Sequence, residues 1–203
     1  MTGPRGSWRT TTHAWASDVD EEHLADVRAR ADALAPDGAL HLVLEVLAYA
    51  DEEAAATGRR GQVEVVLDGS RVVVADDGRG TDTRVDEHGA VVRKPVMATQ
   101  DVRFFDVDDA PLLPDGHPRR GMSVVSALSP ALVHENWRTD GAWSQTYRHG
   151  VPDAALVPLT PRGGTGTTVT FRGVPGAPVD ADALRALVGG FDHLDVTVLS
   201  ASR

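Results

Sequence analysis

Val72-Val73-Val74-Ala75-Asp76-Asp77-Gly78-Arg79-Gly80 is the stretch on which the fold of this chain turns. Its apolar run reads as a buried strand that delivers a carboxylate, Asp76, at its end. Gly78 and Gly80, one residue apart, let the backbone bend there and approach a flat ligand closely. A carboxylate so placed accepts a hydrogen bond from an exocyclic amine such as that of adenine. The same letters also spell an ordinary turn after a strand, so the reading needs support from the rest of the chain.

Immediately upstream, Gln62–Leu67 and Arg71–Ala75 read as two antiparallel strands joined by Asp68-Gly69-Ser70, because Asp-Gly supplies the positive φ angles of a tight hairpin. Two helices precede them. The first is capped by Ser17-Asp18, carries Asp20 and Glu21 in its first turn, and repeats Leu24, Val27, Ala31 and Leu34 until Pro36-Asp37-Gly38 breaks it. The second sets Leu40, Val43, Leu44, Leu47 and Ala54 on one face and ends at Thr57-Gly58. Glu45, Tyr49 and Glu52 share another face of that helix, one turn apart. Glu45 lies in Leu-Val-Leu-Glu-Val-Leu, and a carboxylate in so apolar a setting suits general-base work. Glu52-Glu53 read as a partly solvated face.

Downstream, Asp76 to Pro118 is rich in Asp, Gly and Pro, interrupted by Val96-Met97 and Phe104-Phe105, and reads as a long lid with one short helix. A helix over Gly121–Leu132 follows, then strands Leu132–Arg138, Ala142–Arg148 and Thr167–Phe171, a helix around Ala181–Val188 and a last strand, Asp195–Leu199. Gly163-Gly164-Thr165-Gly166-Thr167 is a glycine-rich turn that presents the Thr167 hydroxyl or is plain structure. Helices with mostly antiparallel strands predict an α+β two-layer sandwich, one sheet with helices on one face. Residues 1–17 predict a flexible arm and 18–203 a single domain.

Composition narrows the function classes. With 203 residues, 41% hydrophobic and 25% charged, the chain is of ordinary globular make-up. Lys and Arg number 20 against 30 Asp and Glu, a formal net charge of −10, which argues against direct binding to nucleic acid or to an anionic membrane. There is no cysteine, which excludes disulfides, thiol catalysis and Cys-ligated zinc. The eight histidines are scattered, so no metal site is expected. No signal peptide or long apolar run is read, and a cytoplasmic protein is expected.

Taken in order, these features resemble the ATP-binding domain of the GHKL superfamily, the Bergerat fold, most closely the N-terminal ATPase domain of the DNA gyrase B subunit. The resemblance runs over roughly residues 27–199. Gly38-Ala39-Leu40-His41-Leu42-Val43-Leu44-Glu45-Val46 is similar to the glutamate-bearing helix, and Asp76-Asp77-Gly78-Arg79-Gly80 matches the adenine motif letter for letter. Ser123–Ser129 resembles the helix after the lid, and Tyr147–Pro152 and Thr165-Gly166-Thr167 continue the register.

The resemblance implies an adenine nucleotide, ATP or another, as ligand. It puts Glu45 at the general base, Asp76 at the adenine carboxylate with Gly78 and Gly80 in its motif, and Thr167 at the supporting hydroxyl. Arg79 pairs with the acidic position held by Glu53, and Arg138 stands at the pocket mouth where aminocoumarin inhibitors bind in the family. It also exposes departures. Tyr49 replaces the Asn that holds Mg²⁺, so the implication for Mg²⁺ is lost. The glycine run that cradles phosphate is here Gly116-His117-Pro118-Arg119-Arg120-Gly121, of which Gly121 remains and Pro118 has no amide to offer. Arg119 and Arg120 either replace the lost donors, obstruct the pocket or cap a partner's acidic surface.

Two functional expectations follow. One is a stand-alone gyrase-B-like protein that binds an adenine nucleotide and hydrolyses ATP weakly or not at all, without being a complete topoisomerase. The other is a non-catalytic pseudo-ATPase serving as an interaction, dimerisation or regulatory module through the N-terminal arm, whose Trp8 and Trp15 need cover. A binder of gyrase-directed inhibitors is a lesser variant, motivated by Asp76, Arg138 and Thr167 being kept together.

Overall fold

The computed structural model describes residues 19–81, 83–85, 91–93, 96–153 and 156–201. The arm at 1–17 and the cap expected at Ser17-Asp18 lie outside them. Helix α1 (Glu21–Ala29) is capped by Asp20, whose carboxylate accepts from the His23 N–H at 3.0 Å. The single helix expected through Leu34 is two. Arg30 leaves helical geometry at φ −106° and ψ 21°, and α2 (Ala31–Leu34) restarts after it. The Arg30 guanidinium forks onto Asp106 and also reaches Asp26, which ties this corner to the lid.

Helix α3 (Ala39–Thr57) begins after Gly38 and stops at Gly58, whose φ of +66° is the left-handed conformation that ends helices. His41 to Ala48 are buried without interruption, because α3 is covered on more than one side. It packs on α4 (Met122–Leu128) and on strands β1 (Gly61–Asp68), β2 (Arg71–Asp76) and β10 (Leu194–Ser200). Helix α4 was expected to run to Leu132. Pro130 disfavours helical geometry at the preceding residue, Ser129 turns extended (φ −93°, ψ 117°), and Leu132 becomes part of a strand.

The lid departs further from expectation. Strands β3 (Thr83–Val85) and β4 (Val91–Arg93) pair as a separate antiparallel ribbon, and no helix occurs among the described residues between Asp76 and Pro118. Turns there bury Val96, Met97, Phe104 and Phe105. Strands β5 (Ala131–Arg138), β6 (Gly141–Arg148), β7 (Val151–Pro152), β8 (Val157–Pro158) and β9 (Gly166–Arg172), with helix α5 (Ala181–Leu187), complete the chain.

The main sheet has eight strands in the order β10-β1-β2-β9-β5-β6-β7, with β8 also pairing β6. Among the described residues only β10 against β1 is parallel; the other pairs of this sheet are antiparallel. Alternation along β1, with Val63, Val65 and Leu67 inward, turns one face to the helices, and Leu44, Leu47, Val74, Val125 and Phe171 fill the space between the layers. The architecture is the expected α+β sandwich. No helix among the described residues is long and apolar enough to cross a membrane.

Asp180 caps α5 by accepting from the Ala183 N–H at 2.8 Å. Asp180→Ala is expected to cost about 1 kcal/mol in a denaturant titration, the usual worth of such a cap, with the fold unchanged.

Candidate functional site

Two central strands create the first half of the site. In the β2–β9 pairing Ala75 lies opposite Thr168, which brings Thr167 alongside Asp76. The Thr167 hydroxyl donates to Asp76 Oδ2, and the N–H groups of Gly78 (2.8 Å) and Thr167 (3.3 Å) donate to Oδ1. A carboxylate accepts about four hydrogen bonds, so one position remains for a ligand donor. Burial raises the Asp76 pKa despite these three donors.

Gly80 follows at φ +78°, and a Cβ there would lie 2.7 Å from both Asn136 Oδ1 and the Trp137 carbonyl oxygen. The motif is thus pressed onto β5. Asn136, fully buried, accepts from the Thr81 N–H at 2.7 Å and donates to its carbonyl at 3.2 Å, and Arg138 donates to the Gly80 carbonyl at 3.1 Å. Sequence reasoning missed Asn136. Its signal was the inward register Leu132, His134, Asn136, which puts an amide where an apolar residue is expected. Asp77 is structural, held by Arg59 at 3.0 Å and by the Gln62 N–H at 2.9 Å. Arg79 pairs with Glu53 (2.9 Å), as the resemblance implied.

Asp76, Thr167, Arg79, Gly80, Arg138, Glu53 and Tyr49 line one cavity of about 180 Å³. Val46, Val96, Met97, Met122 and Val169 give it apolar walls. Apolar walls with a few converging polar groups are the usual make-up of a small-molecule site. Gly78 and Gly121 stand behind this lining. A Cβ on Gly78 would meet Asp76 Oδ1 at 2.8 Å, and one on Gly121, at φ +99°, would meet Asp101 Cβ at 3.0 Å.

Glu45 lies apart, fully buried, at the start of α4. Its Oε1 accepts from the Arg120 N–H and its Oε2 from the Gly121 N–H at 3.0 Å. Arg119, 5% exposed, pairs with Glu52 at 3.0 Å and stacks its guanidinium 4.1 Å from the Phe104 ring centre and 5.6 Å from that of Tyr49. Arg103 joins Glu52 to buried Asp101. The Tyr49 hydroxyl is buried without a hydrogen-bond partner, and its burial, with Asp101 adding to it, holds the phenol well above its ordinary pKa.

His41 stands one turn before Glu45. Its Nδ1 meets Asp115 Oδ2 at 2.6 Å and its Nε2 faces Glu45 Oε1 at 3.6 Å, with the His117 ring centre 6.1 Å away. Burial works to lower the imidazole pKa, but Glu45 and Asp115 outweigh it and the net shift is upward. Folding therefore takes up a proton that the unfolded chain holds less tightly. The resulting stability is full below the unfolded pKa of about 6.5 and is lost as pH rises through the folded-state value. His41→Gln is expected to flatten that loss in denaturation midpoints followed from about pH 6 to about pH 9.

No model of a protein family matches the chain. Among sequences, it is 37% identical over 145 residues to the mitochondrial DNA gyrase B subunit of Arabidopsis thaliana, covering 66% of this chain and 19% of that protein. It is 35% identical over 134 residues to the DNA gyrase B subunit of Mycobacterium tuberculosis, covering 66% and 20%. The novobiocin-resistant gyrase B subunit of Streptomyces niveus matches at 35% over 140 residues. The chain thus spans about a fifth of the length of these relatives. Among structures, the topoisomerase IV ATP-binding domain of Francisella tularensis, solved with a small-molecule inhibitor, superposes with a TM-score of 0.65 at 21% identity, over 87% of this chain and 89% of that one. Homology over about two thirds of the chain relates this protein to the gyrase B subunits, and the common fold over most of it is the GHKL ATP-binding fold.

Proposed function

We propose that the chain is an adenine-nucleotide-binding domain that hydrolyses ATP slowly or not at all. The observation that carries this reading is the Asp76 carboxylate, held by Thr167 and Gly78 in the lining of a cavity with apolar walls, with one acceptor position left for an exocyclic amine.

The reading of weak hydrolysis rests on the other half. A general base must reach the water it activates, and both oxygens of Glu45 are engaged by backbone amides. Mg²⁺ fits poorly. Tyr49 offers a phenol of raised pKa where a metal ligand is needed, and among the described residues no group of three or more His, Cys, Asp or Glu is placed to hold an ion. Phosphoryl transfer depends on such charge stabilisation, so binding outlasts turnover when it is lost.

The test is isothermal titration with ATP, ADP, AMP and a non-hydrolysable ATP analogue, with and without Mg²⁺, alongside a phosphate-release assay. Binding that requires Asp76, with little or no release, is the expected result. Absence of binding to every adenine compound would discard the reading in favour of a non-catalytic interaction module. Tyr49 on the cavity lining, with the Arg119 guanidinium 5.6 Å from its ring centre, supports that second reading. Dimerisation through the N-terminal arm belongs to it, and the arm lies outside the described residues.

A further inference from the structure

The adenine reading leaves open how much of a nucleotide the cavity accepts. Resting on that reading, we infer that the site selects the unphosphorylated end of the adenine series, with adenosine held more tightly than ATP.

The first ground is the state of the amides at the start of α4. An incoming phosphate needs N–H donors or cations that are not already satisfied. The Arg120 and Gly121 N–H groups both donate to Glu45, so a phosphate arriving there displaces a buried carboxylate or faces it. Either outcome opposes like charges in a region that excludes water, where their repulsion is strong.

The second ground is the pairing of the nearby cations. Arg119 is buried against Glu52, and Arg103 is shared between Glu52 and Asp101. The Arg120 guanidinium donates to the Phe104 carbonyl at 3.2 Å. Glu45, Glu52 and Asp101 balance the charges of Arg103, Arg119 and Arg120, so the region carries no net positive charge to draw in a polyanion.

The third ground is size. A cavity of about 180 Å³ leaves little room for a triphosphate chain beyond a nucleoside. Tyr49 is among the residues that line the cavity, and its hydroxyl is enclosed by protein rather than open to the slot.

The experiment is a calorimetric series of adenosine, AMP, ADP and ATP against the wild-type chain and Tyr49→Asn, each with and without Mg²⁺. For the wild type, affinity is expected to fall along the series, with ATP roughly a hundredfold weaker than adenosine, and Mg²⁺ is expected to change little. In Tyr49→Asn the gap is expected to narrow. ATP binding as tightly as adenosine, or tightening with Mg²⁺, overturns this inference and leaves the adenine reading standing. Binding of no member of the series, or adenosine binding that survives in Asp76→Asn, overturns the adenine reading itself and this inference with it.

Discussion

Asp76→Asn is expected to remove most of the affinity for adenine compounds while leaving the protein as stable as before or slightly more so. The substituted side chain keeps one carbonyl oxygen, which still accepts from the Gly78 and Thr167 N–H groups. Its NH₂ replaces Oδ2, and the Thr167 hydroxyl turns from donor to acceptor to meet it. The ligand's amine then meets a donor where it needs an acceptor. Hydrogen bonds to a charged partner are worth about 1.5–3 kcal/mol, so the loss is roughly tenfold to a hundredfold or more in Kd, read by calorimetry.

Stability moves separately because burial raises the Asp76 pKa, which means that the folded state resists carrying this charge. Acidification protonates the folded form before the unfolded one, so it favours folding at this group. It weakens the ligand at the same time, because a protonated carboxyl no longer offers two acceptor oxygens. Wild-type affinity is therefore expected to decline at a pH above the ordinary carboxylate range, and Asp76→Asn to lack that decline. Unchanged affinity in the variant would remove the carboxylate from recognition.

Gly166→Ala is expected to destabilise the fold by about 3 kcal/mol or more. Gly166 has φ +140°, and a Cβ there would lie 2.0 Å from the Asp76 carbonyl oxygen and 3.2 Å from Asp77 Cα. Both neighbours are backbone, so no side chain can swing away. The strands must part where Thr167 supports Asp76. For a chain of this size the melting temperature should fall by roughly 6–12 °C, with ligand binding lost in parallel. Gly164→Ala is the control, since nothing lies within 4 Å of its added Cβ. Equal melting temperatures for the two variants would contradict the close approach.

How much of this was legible in the sequence depended on distance along the chain. The β2 strand, its terminal carboxylate and the glycines after it are local, and their letters carry strand period and turn chemistry together. Thr167 was legible through its glycine-rich turn. The break at Arg30 was not, because the apolar period runs on through Ala31 and Leu34 while the guanidinium is drawn to Asp106 far along the chain. Glu45 read as a carboxylate in apolar surroundings, and it is buried as that predicts. Its amide partners come from the entry to α4, about 75 residues later, where no periodicity announces them. The ion pairs of Glu52 with Arg103 and Arg119 follow the same rule: charges on separate segments pair only once the segments pack.

The separation of Asp76 from Thr167 by 91 residues has a kinetic consequence. A contact so distant in sequence closes only after the intervening lid, α4 and the β5–β6 hairpin have been gathered, and such loop closure is slow in search and entropy. Asp76 and Thr167 therefore meet late in folding, and a nascent chain that has not yet emitted β9 lacks one wall of the cavity they line. A ligand captured there binds only the fully assembled sheet, so it slows global unfolding by mass action rather than protecting one local segment. Hydrogen exchange along β2 and β9 would record that as protection rising in both strands together.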